Sequence, residues 1–314
     1  MNLMNEISRE KFVPGYLELS QSQFKKRIKQ AFELLNPCRL CPHRCKVERL
    51  KGERGICKAG AKPELSSYFL HQGEEPVLSG WKGSGTLFFT HCNLRCVFCQ
   101  NYPISHLGNG NLTDSEEMAR MMIELQEDGA HNINFITPSH LVPWIIEAVY
   151  IARGKGLKIP LVYNSSGYDS LEELKLLEGI VDIYLPDMKY NDTEVAKRYS
   201  RANDYVEVNR KAIKEMWRQV RDLITDEYGV ALRGLIIRHL VLPENLAGTE
   251  GIMEFIAEEI SKNTAISLMS QYFPAYQAFE FPELSRKITS SEYAQAERAM
   301  ERAGLSMGWK QGVD

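Results

Sequence analysis

All seven cysteines of this 314-residue chain fall between residues 38 and 99. The last three read Cys92-Asn93-Leu94-Arg95-Cys96-Val97-Phe98-Cys99, a C-x3-C-x2-C run. Three thiolates this close can hold three irons of a [4Fe–4S] cube and leave the fourth iron without a protein ligand. An open iron is where a small molecule binds and receives an electron, so the run reads as an active site rather than a wire. The spacing i, i+4, i+7 is also one face of a helix, on which Cys serves as a small hydrophobe. Its neighbours argue against that: the strand-like run Thr86-Leu87-Phe88-Phe89-Thr90 ends just before it, and Pro103 follows four residues after Cys99.

Cys38-x2-Cys41-x3-Cys45-x11-Cys57 supplies four more thiolates within 20 residues, with Pro42 and Gly55 shaping tight turns. Four ligands close either a tetrahedral zinc site or a complete [4Fe–4S] cube. The irregular spacing, unlike a pair of C-x2-C knuckles, leans toward an auxiliary cluster, with zinc the alternative. An odd, clustered set of cysteines suits metal ligation in a reducing compartment better than disulfides, which predicts a cytoplasmic protein. A net charge of −3 gives no footprint for nucleic acid. Residues 1–20 lack a signal-peptide core, and no apolar run is long enough to predict a membrane span.

Phe24, Ile28, Phe32 and Leu35 recur at helical spacing and predict a helix packed on the main domain. Residues 36–85 then read as a loop-built metal module, giving two expected units, 1–85 and 86–314. From Thr86 onward, short apolar strands at 86–90, 132–136, 159–163, 181–186, 233–241 and 265–269 alternate with helical patterns. Capping boxes at Thr113-x-x-Glu116 and Ser170-x-x-Glu173 open two of those helices, and Pro143 falls in the first turn of another. Six β-α repeats with continuous apolar strands predict an α/β fold with a parallel sheet covered on both faces. The count allows an open doubly wound sheet or a curved partial barrel.

In either architecture ligands belong at the carboxyl ends of the strands. Polar residues gather there: His91 and the cluster cysteines, Thr137-Pro138-Ser139-His140, Asn164-Ser165-Ser166-Gly167, Asp187-Met188-Lys189, Arg238-His239 and Ser270-Gln271-Tyr272. His140 and His239 read as hydrogen-bonding fixtures. Glu74-Glu75, before Pro76, reads as a structural turn, because adjacent residues of an extended chain point oppositely. Gly83-Ser84-Gly85 precedes a strand rather than a helix and makes a poor phosphate loop.

With an aromatic before its last Cys and the extension Gln100-Asn101-Tyr102, the C-x3-C-x2-C run resembles the signature of the radical S-adenosylmethionine (SAM) superfamily. Within it, residues 36–311 resemble the branch around pyruvate formate-lyase activating enzyme, closest to an activase-like group with an extra N-terminal cysteine motif. The resemblance implies a partial (β/α)6 barrel and a [4Fe–4S] cluster on Cys92, Cys96 and Cys99. SAM would chelate the open iron and be cleaved reductively to methionine and a 5′-deoxyadenosyl radical that abstracts hydrogen. An electron donor such as flavodoxin or ferredoxin is implied as a partner. The implied substrate is a glycyl-radical-type protein, another peptide or a metabolite.

Asp187-Met188-Lys189 resembles the activase D-x-K motif, which contacts SAM or a nearby cation. Arg238, followed by His239-Leu240-Val241-Leu242-Pro243, resembles the arginine before a V-x-P turn, and a fixed guanidinium suits the SAM carboxylate. Phe98, Thr137, Ser139, Asn164, Ser166 and Gln271 complete the implied cofactor contacts. Loss of Asp187, at its strand's end, is expected to impair cleavage more than folding. Three departures stand out. Gly-Gly-Glu becomes Thr137-Pro138-Ser139, Asp-Thr-Asn-Gly becomes Asn164-Ser165-Ser166-Gly167, and a late strand-end His becomes Tyr272. They leave a second reading, a barrel that has lost SAM chemistry and serves as an iron–sulfur scaffold or electron carrier.

Overall fold

The structure, a computed structural model, describes residues 5–312, so the outermost ends of both expected units, 1–4 and 313–314, lie outside the described residues. Helix α1 (Gln21–Glu33) starts at a capping box in which Ser20 and Gln23 satisfy each other's backbone. Strand β1 (Glu64–His71) follows, and then come six β/α units. These are β2 (Ser84–Phe89) with α2 (Ser115–Glu127), β3 (Ile133–Ile136) with α3 (Val142–Gly154), and β4 (Leu161–Ser165) with α4 (Leu171–Leu177). Next are β5 (Ile183–Pro186) with α5 (Thr193–Ser200) and α6 (Tyr205–Val220), β6 (Ala231–Leu240) with α7 (Thr249–Glu259), and β7 (Ala265–Met269) with α8 (Ser290–Arg302). A short β8 (Gly308–Lys310) ends the series.

Each strand from β2 to β8 pairs in parallel with the next in sequence, while β1 lies antiparallel on β2. Right-handed crossovers that never reverse direction place every helix on one face, so the sheet curls into a partial barrel. A doubly wound sheet needs a switch in strand order, and none occurs along the parallel series β2 to β8. The second face of the sheet is therefore covered by its own curvature rather than by helices. Side chains alternate accordingly: Leu161 and Tyr163 join the outer core with Phe89, Phe135 and the helices, whereas Val162 joins an inner cluster. Helix α1 packs on α3, with Phe24 5.5 Å from Tyr150 and Phe32 edge-on to Trp144 at 5.4 Å. No described helix is long and apolar enough to cross a membrane.

The boundary expected at residue 85 falls inside β2, because β1 pairs along its length with that strand. Between the two, residues 72–83 fold under the amino ends of the strands. There the single turn Pro76–Ser79 inserts Val77 and Leu78 among Val162, Ile183, Leu185 and Ile236. Asn132 fixes this plug by donating to Leu78 O at 2.9 Å and accepting from the Ser84 hydroxyl at 2.6 Å. At the first expected capping box the cap moves by one residue. The Asp114 carboxylate accepts from Glu117 N, and Thr113 spends its hydroxyl on the Glu117 side chain.

The fully buried Leu78 side chain closes the barrel's amino end. Leu78→Ala should cost ~2–5 kcal/mol through lost burial and the cavity left behind. Urea unfolding measures this, and an unchanged midpoint would show that the plug carries none of the barrel's stability.

Candidate active site

After β2 the chain turns sharply, with His91 in the left-handed region at φ 66, and Cys92, Cys96 and Cys99 follow on a loop. That loop is pinned to α5 by Arg95 N–H to Ser200 O and Val97 N–H to Tyr199 O. Leu94 N–H donates to Cys92 Sγ at 3.3 Å, and the Ser200 hydroxyl donates to Cys96 Sγ at 3.0 Å. Ser105 Oγ lies 3.0 Å from Cys99 Sγ. Burial pushes the Cys92 thiol far up, and Cys96 pushes it the same way. Burial also lifts Cys96 to about 11, against the pull of the Lys189 ammonium. Cationic help beside buried sulfur is what a site for bound thiolates requires.

The three cysteines face a chamber of about 760 Å³ that is the lumen of the barrel. Thr137, Asn164, Ser166, Asp187, Lys189, Arg238 and Gln271 line the same chamber. At its centre Asp187 Oδ1 accepts from Arg238 Nε at 2.9 Å and Asp187 Oδ2 from Lys189 Nζ at 2.6 Å. Arg238 Nη2 also donates to Asn164 Oδ1 at 2.7 Å. Burial works against the Asp187 carboxylate, but Arg238 and Lys189 together hold it below its ordinary range. Helix α6 fixes the two loops behind this group. Asn209 Nδ2 donates to both Gly167 O and Asp187 O, and the Tyr205 hydroxyl meets Ser166 O at 2.9 Å. At Gly167, φ 70, a Cβ would sit 2.2 Å from Asp187 O, so only glycine fits.

Two expected cofactor contacts lie elsewhere. Ser139 is wholly buried behind the sheet and donates to Asp169 Oδ1 at 2.6 Å, because Asp169 must be satisfied where water cannot reach it. Phe98 packs into the aromatic core against Tyr272 and Tyr190, at 5.8 and 6.4 Å. Tyr272 is buried too, donating to Leu284 O at 2.6 Å. His140 and His239 are buried fixtures, bonded to Thr90 O and Met188 O and pushed by burial down to about 3 and about 4. Thr137 keeps the left-handed backbone, φ 59, that glycine takes without strain.

Glu74 and Glu75 also line the chamber, together with His71. The alternation rule failed there because the segment bends under the barrel instead of running extended. Burial and the neighbouring Glu75 push the Glu74 carboxyl up to about 8.

In the four-cysteine module, left-handed backbone at Arg44 and Lys46 brackets Cys45, and at Lys58 it follows Cys57. Ile56 N–H approaches Cys45 Sγ at 3.5 Å, and a Cβ on Gly55 would lie 2.8 Å from that sulfur. Burial pushes Cys41 and Cys57 up, and the cysteines act on one another: Cys57 and Cys45 on Cys41, and Cys38 and Cys45 on Cys57. Each of the four cysteines is thus close enough to another to act on its charge. Among the described residues, though, no three Cys, His, Asp or Glu side chains stand at the spacing of a single bound ion.

A sequence profile of the radical SAM superfamily matches residues 86–256, the barrel from β2 through most of α7. The chain belongs to the radical SAM superfamily. The uncharacterized protein MJ0674 of Methanocaldococcus jannaschii is 35% identical over 289 residues, 88% of this chain and 77% of that one. MJ0808 of the same organism is 23% identical over 281 residues, 81% of this chain and 78% of its own. Among solved structures, a domain of pyruvate-formate lyase-activating enzyme from Bacteroides vulgatus has a TM-score of 0.37 and 14% identity. It covers 52% of this chain and 89% of that domain. The [FeFe]-hydrogenase maturase HydG has a TM-score of 0.46 and 14% identity, over 69% of this chain and 48% of its own.

Radical SAM enzymes use a [4Fe–4S] cluster and SAM, and the residues here suit both. Three thiols with hydrogen-bond donors at each face the lumen. Asn164, 2% exposed, leaves its Nδ2 unpartnered beside Arg238, so the lumen wall retains a donor for a bound acceptor.

Asp187, expected to matter more to cleavage than to folding, is also the counter-charge of two cations. Asp187→Asn should cost ~3–5 kcal/mol by stranding both of them. Arg238→Gln, which leaves Lys189 on Asp187, should cost only ~1–3 kcal/mol. Because the folded-state pKa of Asp187 is lowered, its contribution is present above the ordinary carboxylate pKa. It is lost as pH falls through the lowered value. Denaturant melts of both variants from pH 7 to pH 3 test the order, and a costlier Arg238 variant would overturn it.

Proposed function

We propose that this chain is an activase-like radical SAM enzyme that abstracts a hydrogen atom from a substrate held in the barrel lumen. The observation that carries this reading is the shared chamber, where three thiols, Asn164, Asp187, Lys189 and Arg238 line one cavity. Cys92, Cys96 and Cys99 would hold the cluster. When bound, it supplies the electron for reductive cleavage of SAM to methionine and a 5′-deoxyadenosyl radical. Leu94 N–H and the Ser200 and Ser105 hydroxyls orient the thiolates. Lys189 offsets their negative charge. Arg238, aimed by Asp187 and Asn164, keeps Nη1 for a carboxylate such as that of SAM. The electron comes from a flavodoxin or ferredoxin, and the substrate is a glycyl-radical-type protein, a peptide or a metabolite. A reducing cytoplasm suits both cysteine sets.

The scaffold reading rests on the missing Gly-Gly-Glu motif. Against it, Thr137 retains a glycine-like bend at the chamber wall. A strained backbone kept at such a position supports a working site.

Cys38, Cys41, Cys45 and Cys57 hold a second metal centre in this reading, an auxiliary cluster or zinc. Arg49 supports it. That side chain is 1% exposed, donates to Gly60 O at 2.7 Å and His140 O at 2.6 Å, and lies 5.0 Å from the Trp144 ring centre. Its Nη2 has no partner among the described residues. A buried guanidinium without a carboxylate is costly. Metal-bound thiolates would supply the counter-charge, and Arg49 already pulls on Cys57.

Anaerobic reconstitution with reductant and SAM should yield 5′-deoxyadenosine, and Cys92→Ala, Cys96→Ala or Cys99→Ala should each abolish it. Full activity in any of the three removes the catalytic assignment. The triple variant should still bind metal at the first four cysteines, with iron, sulfide and zinc analysis naming the centre. A metal-free triple variant would remove the second site.

A further inference from the structure

The chamber's plug end is acidic, and the radical chemistry leaves it unused. The plug carries Glu74 and Glu75 into the lumen on a turn locked by Val77 and Leu78. Glu75 is 8% exposed, and its Oε2 has no hydrogen-bond partner among the described residues. Such an atom, desolvated and unmet, costs stability unless a donor arrives. The unpartnered Asn164 Nδ2 lines the same chamber, so the lumen offers both an unmet donor and an unmet acceptor.

The charged groups facing the pair are Arg238, Asp187 and His71. Burial pushes His71 toward its neutral form. Arg238 and Lys189 are both tied to Asp187, and Lys310 at the chamber's edge is tied to Glu301. With Lys189 set against Asp187 and the cysteine thiolates, and Arg238 against Asp187 and a bound carboxylate, no described cation is ion-paired with Glu74 or Glu75.

We infer that Glu74 and Glu75 form the receptor for a cationic group of the substrate, an alkylammonium or guanidinium anchored at the floor of the lumen. An ammonium meets Glu75 Oε2 and the Glu74 carboxyl with two of its three donors. Burial and the neighbouring Glu75 disfavour the Glu74 carboxylate, and a cation seated beside it favours that charged form. Anchoring at the floor points the rest of the molecule toward the cysteine end. A chamber of about 760 Å³ admits a small amine or the tip of a basic side chain rather than a folded surface. The inference rests on the radical reading for the reaction served, and on the floor's geometry alone for binding.

The test is calorimetry on the reconstituted enzyme with SAM, titrated with n-butylamine, n-butanol and n-butyrate. The amine should bind ~10-fold or more tightly than the alcohol, with butyrate weakest. Glu75→Gln should erase that preference, and Glu74→Gln should reduce it. Glu250→Gln, on the outer surface against Arg302, should keep it. Equal affinity of amine and alcohol in the unaltered enzyme overturns the inference, whether or not the variants fold. So does a preference that survives in both lumen variants. A 5′-deoxyadenosine assay on the same preparation separates the two claims. Amine preference without SAM cleavage leaves the cation site and removes the reaction, and cleavage without preference does the reverse.

Discussion

Two cations share one carboxylate in the lumen of this barrel, and the site's geometry depends on that sharing. Asp187 takes Arg238 from β6 on one oxygen and Lys189 from its own loop on the other. Neither cation is tolerable there unpaired. The group therefore joins the carboxyl ends of β5 and β6, where a bridge between Asp187 and Arg238 continues the strand pairing. It also aims Arg238 across the chamber and holds Lys189 beside the cysteine loop. Tyr205 and Asn209 hold the backbone behind it, and the missing Cβ of Gly167 lets the neighbouring loop close onto Asp187.

The lumen is polarised around that centre. Sulfur lies at one end on a loop fixed by α5, and the acidic plug lies at the other, on a segment threaded under the strands. The four-cysteine module sits against the first end. His43 Nε2 lies 2.7 Å from Asn93 O, next to Cys92, and the Ser170 hydroxyl at the start of α4 donates to Leu40 O at 2.6 Å. The module is thereby fastened to the cysteine loop by polar contacts as well as by the core that Leu35, Leu40 and α1 share with the barrel.

Much of this was legible beforehand. All six expected β/α strands occur within a few residues of their predicted places, because continuous apolar runs flanked by turn residues have few other ways to be buried. The short helices α5 and α7 and the edge strand β1 went unread. Strand β1 and helix α5 mix their apolar residues with many polar ones, whereas α7 carries Ile252, Met253, Phe255 and Ile256 on a face that could have been read. Ser139 and Asp169 show a further limit: a hydroxyl just after a strand can serve the chamber or the far side of the sheet, and only packing decides which. Glu74 and Glu75 were misread for a related reason, since alternation along an extended chain says nothing about a bend that re-enters a barrel.

The sequence by itself determined the sulfur chemistry available, through C-x3-C-x2-C, and the strand–helix alternation that carries it, through apolar period and turn residues. Both are local, written within a few residues of one another. The tertiary structure decided barrel over open sheet, through the sequential order in which the strands pair. It also decided the partner of Arg238, which is Asp187, 51 positions earlier, and the turn of Glu74 and Glu75 into the lumen. Those outcomes depend on which charges and surfaces meet after the chain has closed on itself, and burial then fixes them, because an unpaired charge cannot stay inside.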